Sequence, residues 1–169
     1  IIRDCEKPVI AVVHGYALGG GLELAAACDI RLCSTSASFG YPEITHGWLP
    51  AGGGGTQSLP RLVGMGQAMR IILSGSPIGA DEAFRIGLTD EVHQDEGLEA
   101  AAWDLATRIA KNNLNALVLA KAALRMTELT GIDSGIAYER ELSSLCFTFE
   151  GRREAIAAFH DRHQRKEAE

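Results

Sequence analysis

The chain has 169 residues, a length that suits one or two small domains. It is 46% hydrophobic and 22% charged, an ordinary globular balance that excludes an intrinsically disordered protein. Its 16 basic and 22 acidic residues give a net charge of −6, which argues against a nucleic-acid partner.

The cysteines and the apolar segments indicate the cellular compartment of the protein. The four cysteines form no CxxC pair and lie at no zinc-like spacing from the histidines, which predicts reduced thiols and no metal site. The charged segment Arg3–Lys7 is not typical of a signal peptide. The most apolar window, residues 8–30, contains His14, Glu23 and Asp29, which make a membrane span costly. We therefore expect a cytoplasmic protein with no membrane partner.

The first part of the chain predicts a strand, a glycine turn, a helix and a second strand. Val9–Val13 is a continuous apolar run, typical of a strand buried on both faces. The glycines Gly19–Gly21 precede the strongly helix-forming segment Leu22–Cys28, so the free N–H groups of the helix N-terminus are open to a ligand. Asp29–Cys33 alternates and predicts another strand. This alternation favours an α/β core.

The middle of the chain repeats the pattern less regularly. A second glycine cluster, Gly52–Gly55, is followed by a helical region that runs to about Ser74. Asp81–Gly87 predicts a short capped helix that ends at glycine, and Thr89–Val92 predicts a last short strand.

From about Gly97 onward the sequence predicts one helix after another, including a late helix capped by Asp133 or Ser134. We place the domain boundary near residue 95, with an α/β part at 1–95 and an α-helical part at 96–169. Because an opening strand of this kind needs neighbours on both sides, we also expect sequence to be missing before Ile1.

The glycine clusters do not match the common phosphate-binding motifs. Neither is followed by Gly-Lys-Ser/Thr, and the spacing from Gly15 to Gly21 differs from the dinucleotide fingerprint. Glycines that open a helix after a strand present backbone N–H groups without obstruction, which suits an oxyanion or a carbonyl group. Tight packing against a neighbouring strand is the alternative explanation.

Two glutamates are the candidates for acid/base chemistry. Glu23 has apolar neighbours and is expected to be a part-buried carboxylate, the alternative being a place on a solvated stripe. Glu43 follows the second strand, and if the strands are parallel it returns to the end where Gly20 lies. Paired carboxylates beside a carbonyl group suit proton delivery and removal. His14 is expected to be a core residue, and His46 is a further candidate for the pocket.

These residues lie within longer stretches that resemble the enoyl-CoA hydratase/isomerase (crotonase) family. The resemblance rests on Lys7–Ala11, Gly15–Ala25, Cys28–Ile30, Phe39–Glu43, Gly55–Gln57 with Leu59 and Arg61–Gly64, and Ala80–Leu88. It covers essentially the whole chain. It implies a partial crotonase-like spiral of ββα units followed by a C-terminal α-helical trimerisation region, and therefore a homotrimer or hexamer. It also implies an acyl-CoA thioester substrate, with no cofactor and no metal.

The resemblance also implies roles for particular residues. The Gly20 N–H is one of two oxyanion donors, the other lying upstream of Ile1. Glu23 is the base toward water and Glu43 the acid toward carbon. The implied substrate-binding residues are Leu18, Gly19, Tyr41, Pro42, Trp48, Phe159 and Arg162. Of these, Phe159 and Arg162 are expected to reach the CoA adenine and phosphate of an adjacent subunit.

The expected activity is hydration of a 2-enoyl-CoA thioester, because both glutamates are present. The alternatives are an isomerase or carbon–carbon lyase of the same fold, or a non-catalytic acyl-CoA-binding fragment. The sequence departs from the family pattern in a glycine run at 52–55 that is one residue longer, and in Ser58, where arginine is common.

Overall fold

The computed structural model describes residues 2–149, which divide into two compact units at Asn112/Asn113. The strands of the first unit are β1 (Ile10–Val13), β2 (Tyr16–Leu18), β3 (Ile30–Ser34), β4 (Ser38–Gly40), β5 (Ile78–Gly79) and β6 (Glu91–His93). Its helices are α1 (Gly20–Ala27), α2 (Gly55–Val63), α3 (Met65–Ser74), α4 (Ala80–Arg85) and α5 (Asp95–Ala110), with a 3₁₀ turn at Pro42–His46. The second unit contains α6 (Leu114–Met126) and α7 (Ile132–Cys146).

The described strands form two three-stranded sheets. One has the order β1-β3-β6 with all strands parallel. In the other, β2 pairs with β4 in parallel and β5 pairs with β4 antiparallel. Leu18, the last residue of β2, lies opposite Gly40, the last residue of β4. Helix α1 and the 3₁₀ turn therefore both begin at the same end of this sheet, where β2 and β4 finish.

The main core takes side chains from both sheets and from helices α1 to α4. Its largest fully buried side chains include Leu22, Phe39, Tyr41, Leu59 and Ile71. These apolar side chains fix α1 and the end of β4 against each other, and hydrophobic burial of this kind is the dominant stabilising term in folding.

Helix α5 packs against the first sheet, where Leu98 and Ala102 form a separate buried cluster with Leu32. This helix therefore belongs to the first unit. The division after Asn112 accordingly lies later in the chain than the expected boundary at 95/96.

Strand β1 is not buried on both faces, so that prediction is wrong. Val12 is 39% exposed, and His14, expected in the core, is exposed as well. Within residues 2–149, β1 is an edge strand, and the face of it that carries Val12 lines an open groove with Trp103 of α5. An apolar run alone does not distinguish an edge strand from a central one.

Close backbone contact fixes the end of β4. A Cβ atom on Gly40 would lie 2.9 Å from Pro77 Cα, so a side chain there would displace one of the two segments. The Gly40 carbonyl accepts a 2.9 Å hydrogen bond from the Gly19 N–H, which joins β4 to the residue before α1.

In the second unit, the Asn113 side chain caps α6 by accepting the Ala116 N–H at 3.1 Å. Helix α7 begins after Gly131 with no side-chain cap, so the predicted cap at Asp133 or Ser134 is wrong. Several apolar side chains of this unit are exposed, among them Leu124, Leu129 and Ile132. None of the helices described between residues 2 and 149 has the length and apolar character required to cross a membrane.

Candidate active site

The N-terminus of α1 is open and lined by glycine. Gly19 precedes the helix with φ of 54°, in the left-handed region that glycine adopts without steric cost. The N–H groups of a first helical turn have no carbonyl partner within the helix. Gly20, the first helical residue, is exposed, and a Cβ atom there would meet nothing within 4 Å. The Gly20 backbone is therefore accessible to a ligand.

Glu23 is held by the second glycine cluster. Its side chain is buried, with the residue only 6% exposed. Oε2 accepts the Gly53 N–H at 2.5 Å, and Oε1 accepts the Gly55 N–H at 2.8 Å. A Cβ atom on Gly53 would lie 2.9 Å from Glu23 Cβ, so glycine is what permits this approach. A carboxylate only accepts hydrogen bonds, so it matches two backbone donors.

Glu43 reaches the same helix end from the other side. It lies in the first turn of the 3₁₀ segment after β4, and its side chain is part-buried. A Cβ atom on Gly19 would lie 2.6 Å from Glu43 Oε1, so the carboxylate lies directly over that glycine. Among residues 2–149, its buried Oε2 has no hydrogen-bond partner.

Tyr41, two residues before Glu43, is completely buried. Its ring packs against Gly55, where a Cβ atom would lie 2.9 Å from both Cε1 and Cζ. Burial, followed by the charges of Glu23 and Glu43, raises the pKa of Tyr41 well above its usual range. Both carboxylates therefore act on one phenol group, which remains protonated.

A cavity of about 680 Å³ opens beside this helix end, and Gly20, Glu23, Leu24, Gly52 and Gly53 contribute to its wall. The volume is in the range of small-molecule sites. No three His, Cys, Asp or Glu side chains cluster to form a possible metal site within the described part of the chain.

The structure brings together most of the residues predicted from sequence for this site. Gly19, Gly20, Glu23, Tyr41 and Glu43 surround the start of α1. Leu18 and Pro42 adjoin them in the chain and are part-buried.

The remaining candidates lie farther out. Trp48 is 71% exposed, and its backbone N–H donates to the backbone carbonyl of Glu43 at 3.0 Å. His46 is exposed, with Nδ1 lying 3.2 Å from the Pro42 carbonyl. Phe159 and Arg162 lie outside the described residues.

The sequence does not identify Gly53 and Gly55 as the donors to Glu23, because they lie 30 and 32 positions away in the chain. Ser58, where the family commonly has arginine, is buried and lies 3.2 Å from an Arg3 guanidinium nitrogen.

Solved structures share this architecture. The enoyl-CoA hydratase from Bacillus anthracis superposes with a TM-score of 0.92 at 38% identity, covering 95% of this chain and 62% of that one. The enoyl-CoA hydratase from Thermoplasma volcanium gives a TM-score of 0.86 at 40% identity, covering 93% of this chain and 62% of that one. The chain therefore has the crotonase fold.

The family model described as enoyl-CoA hydratase/isomerase matches residues 1–167. The chain belongs to the enoyl-CoA hydratase/isomerase family. The short-chain-enoyl-CoA hydratase of Clostridium acetobutylicum is 45% identical over 159 residues, 94% of this chain and 60% of that protein. The crotonyl-CoA hydratase of Syntrophomonas wolfei is 44% identical over 164 residues, 97% of this chain and 63% of that protein. The chain thus spans about three fifths of the length of these two relatives.

Proposed function

We propose that this protein is an enoyl-CoA hydratase, which adds water across the 2,3 double bond of an enoyl-CoA thioester. The observation that carries the proposal is the approach of two carboxylates to one open helix N-terminus beside a cavity of about 680 Å³. The printed names of the relatives, short-chain-enoyl-CoA hydratase and crotonyl-CoA hydratase, support a short acyl chain.

Glu23 is the base toward water in this proposal. The Gly53 and Gly55 N–H groups occupy one lone pair on each oxygen, and a carboxylate has about four acceptor positions. A free lone pair on Glu23 takes one proton from the water while its oxygen attacks the β-carbon of the substrate. The buried backbone contacts keep the carboxylate at a fixed angle, which general-base catalysis requires.

As the carbon–oxygen bond forms, the electron pair of the double bond moves through the α-carbon onto the thioester oxygen. The Gly20 N–H, at the open end of α1, is the donor for that developing charge. One donor of this kind contributes about 3–4 kcal/mol to transition-state stabilisation.

Glu43 is the acid toward carbon. Its Oε2 accepts no hydrogen bond from residues 2–149, in contrast to both oxygens of Glu23. A proton carried by Glu43 passes to the α-carbon as the thioester carbonyl re-forms, and the proton taken up by Glu23 returns to Glu43 through solvent, which restores both acids for the next turnover. Hydration moves two protons, one from water and one to carbon, so two separately held carboxylates favour hydration over an isomerisation that uses one.

The isomerase or lyase alternative and the non-catalytic acyl-CoA-binding fragment are separated by one assay. The chain is mixed with crotonyl-CoA, and the loss of the ultraviolet absorbance of the enoyl thioester is followed. Glu23→Gln and Glu43→Gln are expected to abolish this loss, whereas Glu139→Gln, at an exposed position of α7, is the matched control. Hydratase activity that survives either site substitution contradicts the two-carboxylate mechanism.

Two further outcomes decide between the alternatives. Conversion of a 3-enoyl-CoA to the 2-enoyl isomer, without hydration of crotonyl-CoA, supports an isomerase. Binding of the saturated analogue butyryl-CoA, without turnover of either substrate, supports the acyl-CoA-binding fragment.

The assembly is a separate proposal. We expect a homotrimer or hexamer, supported by the exposed apolar side chains Leu124, Leu129 and Ile132 in the second unit. Light scattering of the purified chain tests it, and a monomer at micromolar concentration would contradict it. The placement of Phe159 and Arg162 on the CoA of an adjacent subunit stays a prediction.

A further inference from the structure

The C-terminal end of α3 packs against the 3₁₀ turn that carries Glu43, Pro42–His46. The helix is capped there by Gly75, whose φ of 64° lies in the left-handed region. A Cβ atom on Gly75 would lie 2.6 Å from Thr45 Cγ2 and 3.0 Å from Ile44 Cγ2. Carbon atoms in ordinary contact are about 3.5–4.0 Å apart. A side chain at position 75 therefore has to open a gap of about 1 Å between α3 and the turn.

A change of rotamer does not relieve this contact without breaking another. The two methyl groups that face Gly75 are carried by β-branched side chains, which have few accessible χ1 rotamers. The hydroxyl group on the same Cβ atom of Thr45 donates to the Pro42 carbonyl at 2.7 Å, so rotation about χ1 would break that hydrogen bond. Relief of the contact therefore requires a movement of the backbone.

Of the two backbone segments, the turn has the weaker support. Helix α3 is anchored in the main core by Ala68 and Ile71, which are both buried. Residues 44–49, in contrast, are exposed. A close-packed core resists displacement, whereas an exposed segment moves at lower cost. A side chain at position 75 should thus push the turn and leave the helix in place.

A movement of this turn is transmitted to Glu43. The hydrogen bond from Thr45 to the Pro42 carbonyl joins the residues on both sides of the acid, so Glu43 shifts with them. Its Oε1 lies close over Gly19, where a Cβ atom would be only 2.6 Å away. A shift of the turn therefore changes where the carboxylate lies relative to the start of α1.

We propose that Gly75 is a positioning residue for Glu43. By leaving room for the turn, the glycine that caps α3 allows the carboxylate to lie over Gly19, at the open end of α1. Gly75 acts only through the turn, on the acid that delivers a proton to carbon. This inference rests on the proposed hydratase function for its kinetic consequence.

The kinetic test is Gly75→Ala, assayed with crotonyl-CoA. A misplacement of about 1 Å can cost about 10²-fold in rate, so we expect kcat to fall by about 10- to 100-fold. KM should stay within about threefold of the parent value, because the substitution acts on the chemical step. A role in stability alone would lower the melting temperature and leave kcat unchanged.

Gly64→Ala is the matched control. Gly64 lies at the other end of α3 with a φ of 79°, and a Cβ atom there meets nothing within 4 Å among the described residues. Both substitutions carry the cost of an alanine with a left-handed φ, so both should lower the melting temperature. Only Gly75→Ala should lower kcat, whereas Gly64→Ala should keep it within about twofold of the parent.

Two double variants test whether the effect passes through the turn to Glu43. Thr45→Ser keeps the hydroxyl and removes Cγ2, the atom closest to position 75. Its addition to Gly75→Ala is expected to raise kcat by about threefold or more. In a Glu43→Gln background, Gly75→Ala should lower kcat by less than about twofold, because the carboxylate that it displaces is already absent.

Two kinetic outcomes overturn the inference. One is a kcat in Gly75→Ala equal to that in Gly64→Ala. The other is a full loss of kcat from Gly75→Ala in the Glu43→Gln background, which would mean that the glycine acts on another group. If Gly75→Ala does not fold, Gly75→Asn replaces it, with Gly64→Asn as its control. Asparagine adopts a left-handed φ with less strain and places a Cβ atom at the same point.

Crystal structures of the parent chain and of Gly75→Ala give a readout that needs no turnover. We expect the Glu43 carboxylate of the variant to lie about 1 Å from its place in the parent, with α3 unmoved. An active parent chain whose variant keeps Glu43 in place overturns the inference and leaves the hydratase proposal intact. An inactive parent chain whose variant shows the displacement supports the inferred positioning and counts against the hydratase proposal.

Discussion

The two acids of the site are held in opposite ways. Glu23 projects from a helix, and both of its oxygens accept N–H groups of the glycine cluster Gly52–Gly55. Glu43 lies on a short 3₁₀ turn, and the residues after Glu43, 44–49, are exposed. One of the carboxylate oxygens of Glu43 has no hydrogen-bond partner among the described residues. Glu23 is thus fixed by backbone, whereas the orientation of Glu43 depends on a turn and on neighbouring side chains.

This difference bears on how the two carboxylates share the work. Backbone donors cannot be removed by side-chain substitution, so Glu23 is the better-fixed group and suits the task of orienting a water. In the proposed hydration, the exposed turn that carries Glu43 is the less restrained of the two supports, which suits a group that delivers its proton to a carbon atom.

Removal of either acid is expected to lower catalytic activity by a similar factor. Glu23→Gln and Glu43→Gln are each expected to lower kcat for crotonyl-CoA hydration by about 10²- to 10⁴-fold. Because both act in one step, the double variant should be little worse than either single variant. Steady-state kinetics on the three proteins checks this. Multiplied losses in the double variant would show that the two acids work independently.

Stability is where they should differ. In Glu23→Gln the amide NH₂ must face a backbone N–H, so two donors oppose each other at a cost of about 1–3 kcal/mol in the free energy of unfolding. Glu43→Gln breaks no hydrogen bond at Oε2 and should change that free energy by less than about 0.5 kcal/mol. Urea unfolding measures both. Equal destabilisation would remove the contrast.

The glycine cluster should be sensitive at the residue nearest Glu23. A Cβ atom in Gly53→Ala would lie 2.9 Å from Glu23 Cβ, so the loop must move. This movement weakens the hydrogen bond from the backbone N–H of residue 53 to the Glu23 carboxylate. We expect a loss of about 1 kcal/mol in stability, because the exposed residues 51–53 can relax, together with a lower kcat.

Gly66 is the control for that substitution, because a Cβ atom there meets nothing within 4 Å and the residue lies within α3. Gly66→Ala should therefore raise stability, by up to about 1 kcal/mol. Thermal melts of the pair, with kinetics alongside, decide the matter. Similar effects of the two substitutions would mean that the contact with Glu23 is unimportant.

The smallest effect on stability is expected on the exposed part of the Glu43 turn. Trp48→Ala should change the free energy of unfolding by less than about 0.5 kcal/mol, because the residue is 71% exposed. If the indole covers bound substrate, KM should rise by about threefold or more at unchanged kcat. Unchanged KM would remove Trp48 from the substrate-binding residues.

The sequence predicts the longer elements of this fold well. β1, β3 and α1 carry apolar runs or helix-forming stretches of sufficient length, and they were located within one or two residues. β2, β4 and β5 are only two or three residues long, too short for an alternating pattern to develop. The short parallel ladder between β2 and β4 is nevertheless what brings the site together.

The place of Glu43 illustrates how far local reasoning extends. Its return toward Gly20 was expected from parallel strands, but the strand responsible is β4, paired with β2, rather than β3. The hydrogen bonds from Gly53 and Gly55 to Glu23 join residues 30 and 32 positions apart. No periodicity records such a pairing, because it depends on where the core packs α1 against α2.

The close contact between Gly40 and Pro77 means that the two catalytic motifs alone do not determine activity. A methyl group at position 40 would collide with Pro77 and push the strand end aside, although it touches neither acid. The same carbonyl that accepts the Gly19 N–H would shift with it. A homologue that keeps both glutamates and the glycine clusters but carries a larger residue at position 40 is therefore expected to be inactive, because its acids no longer meet at the helix end.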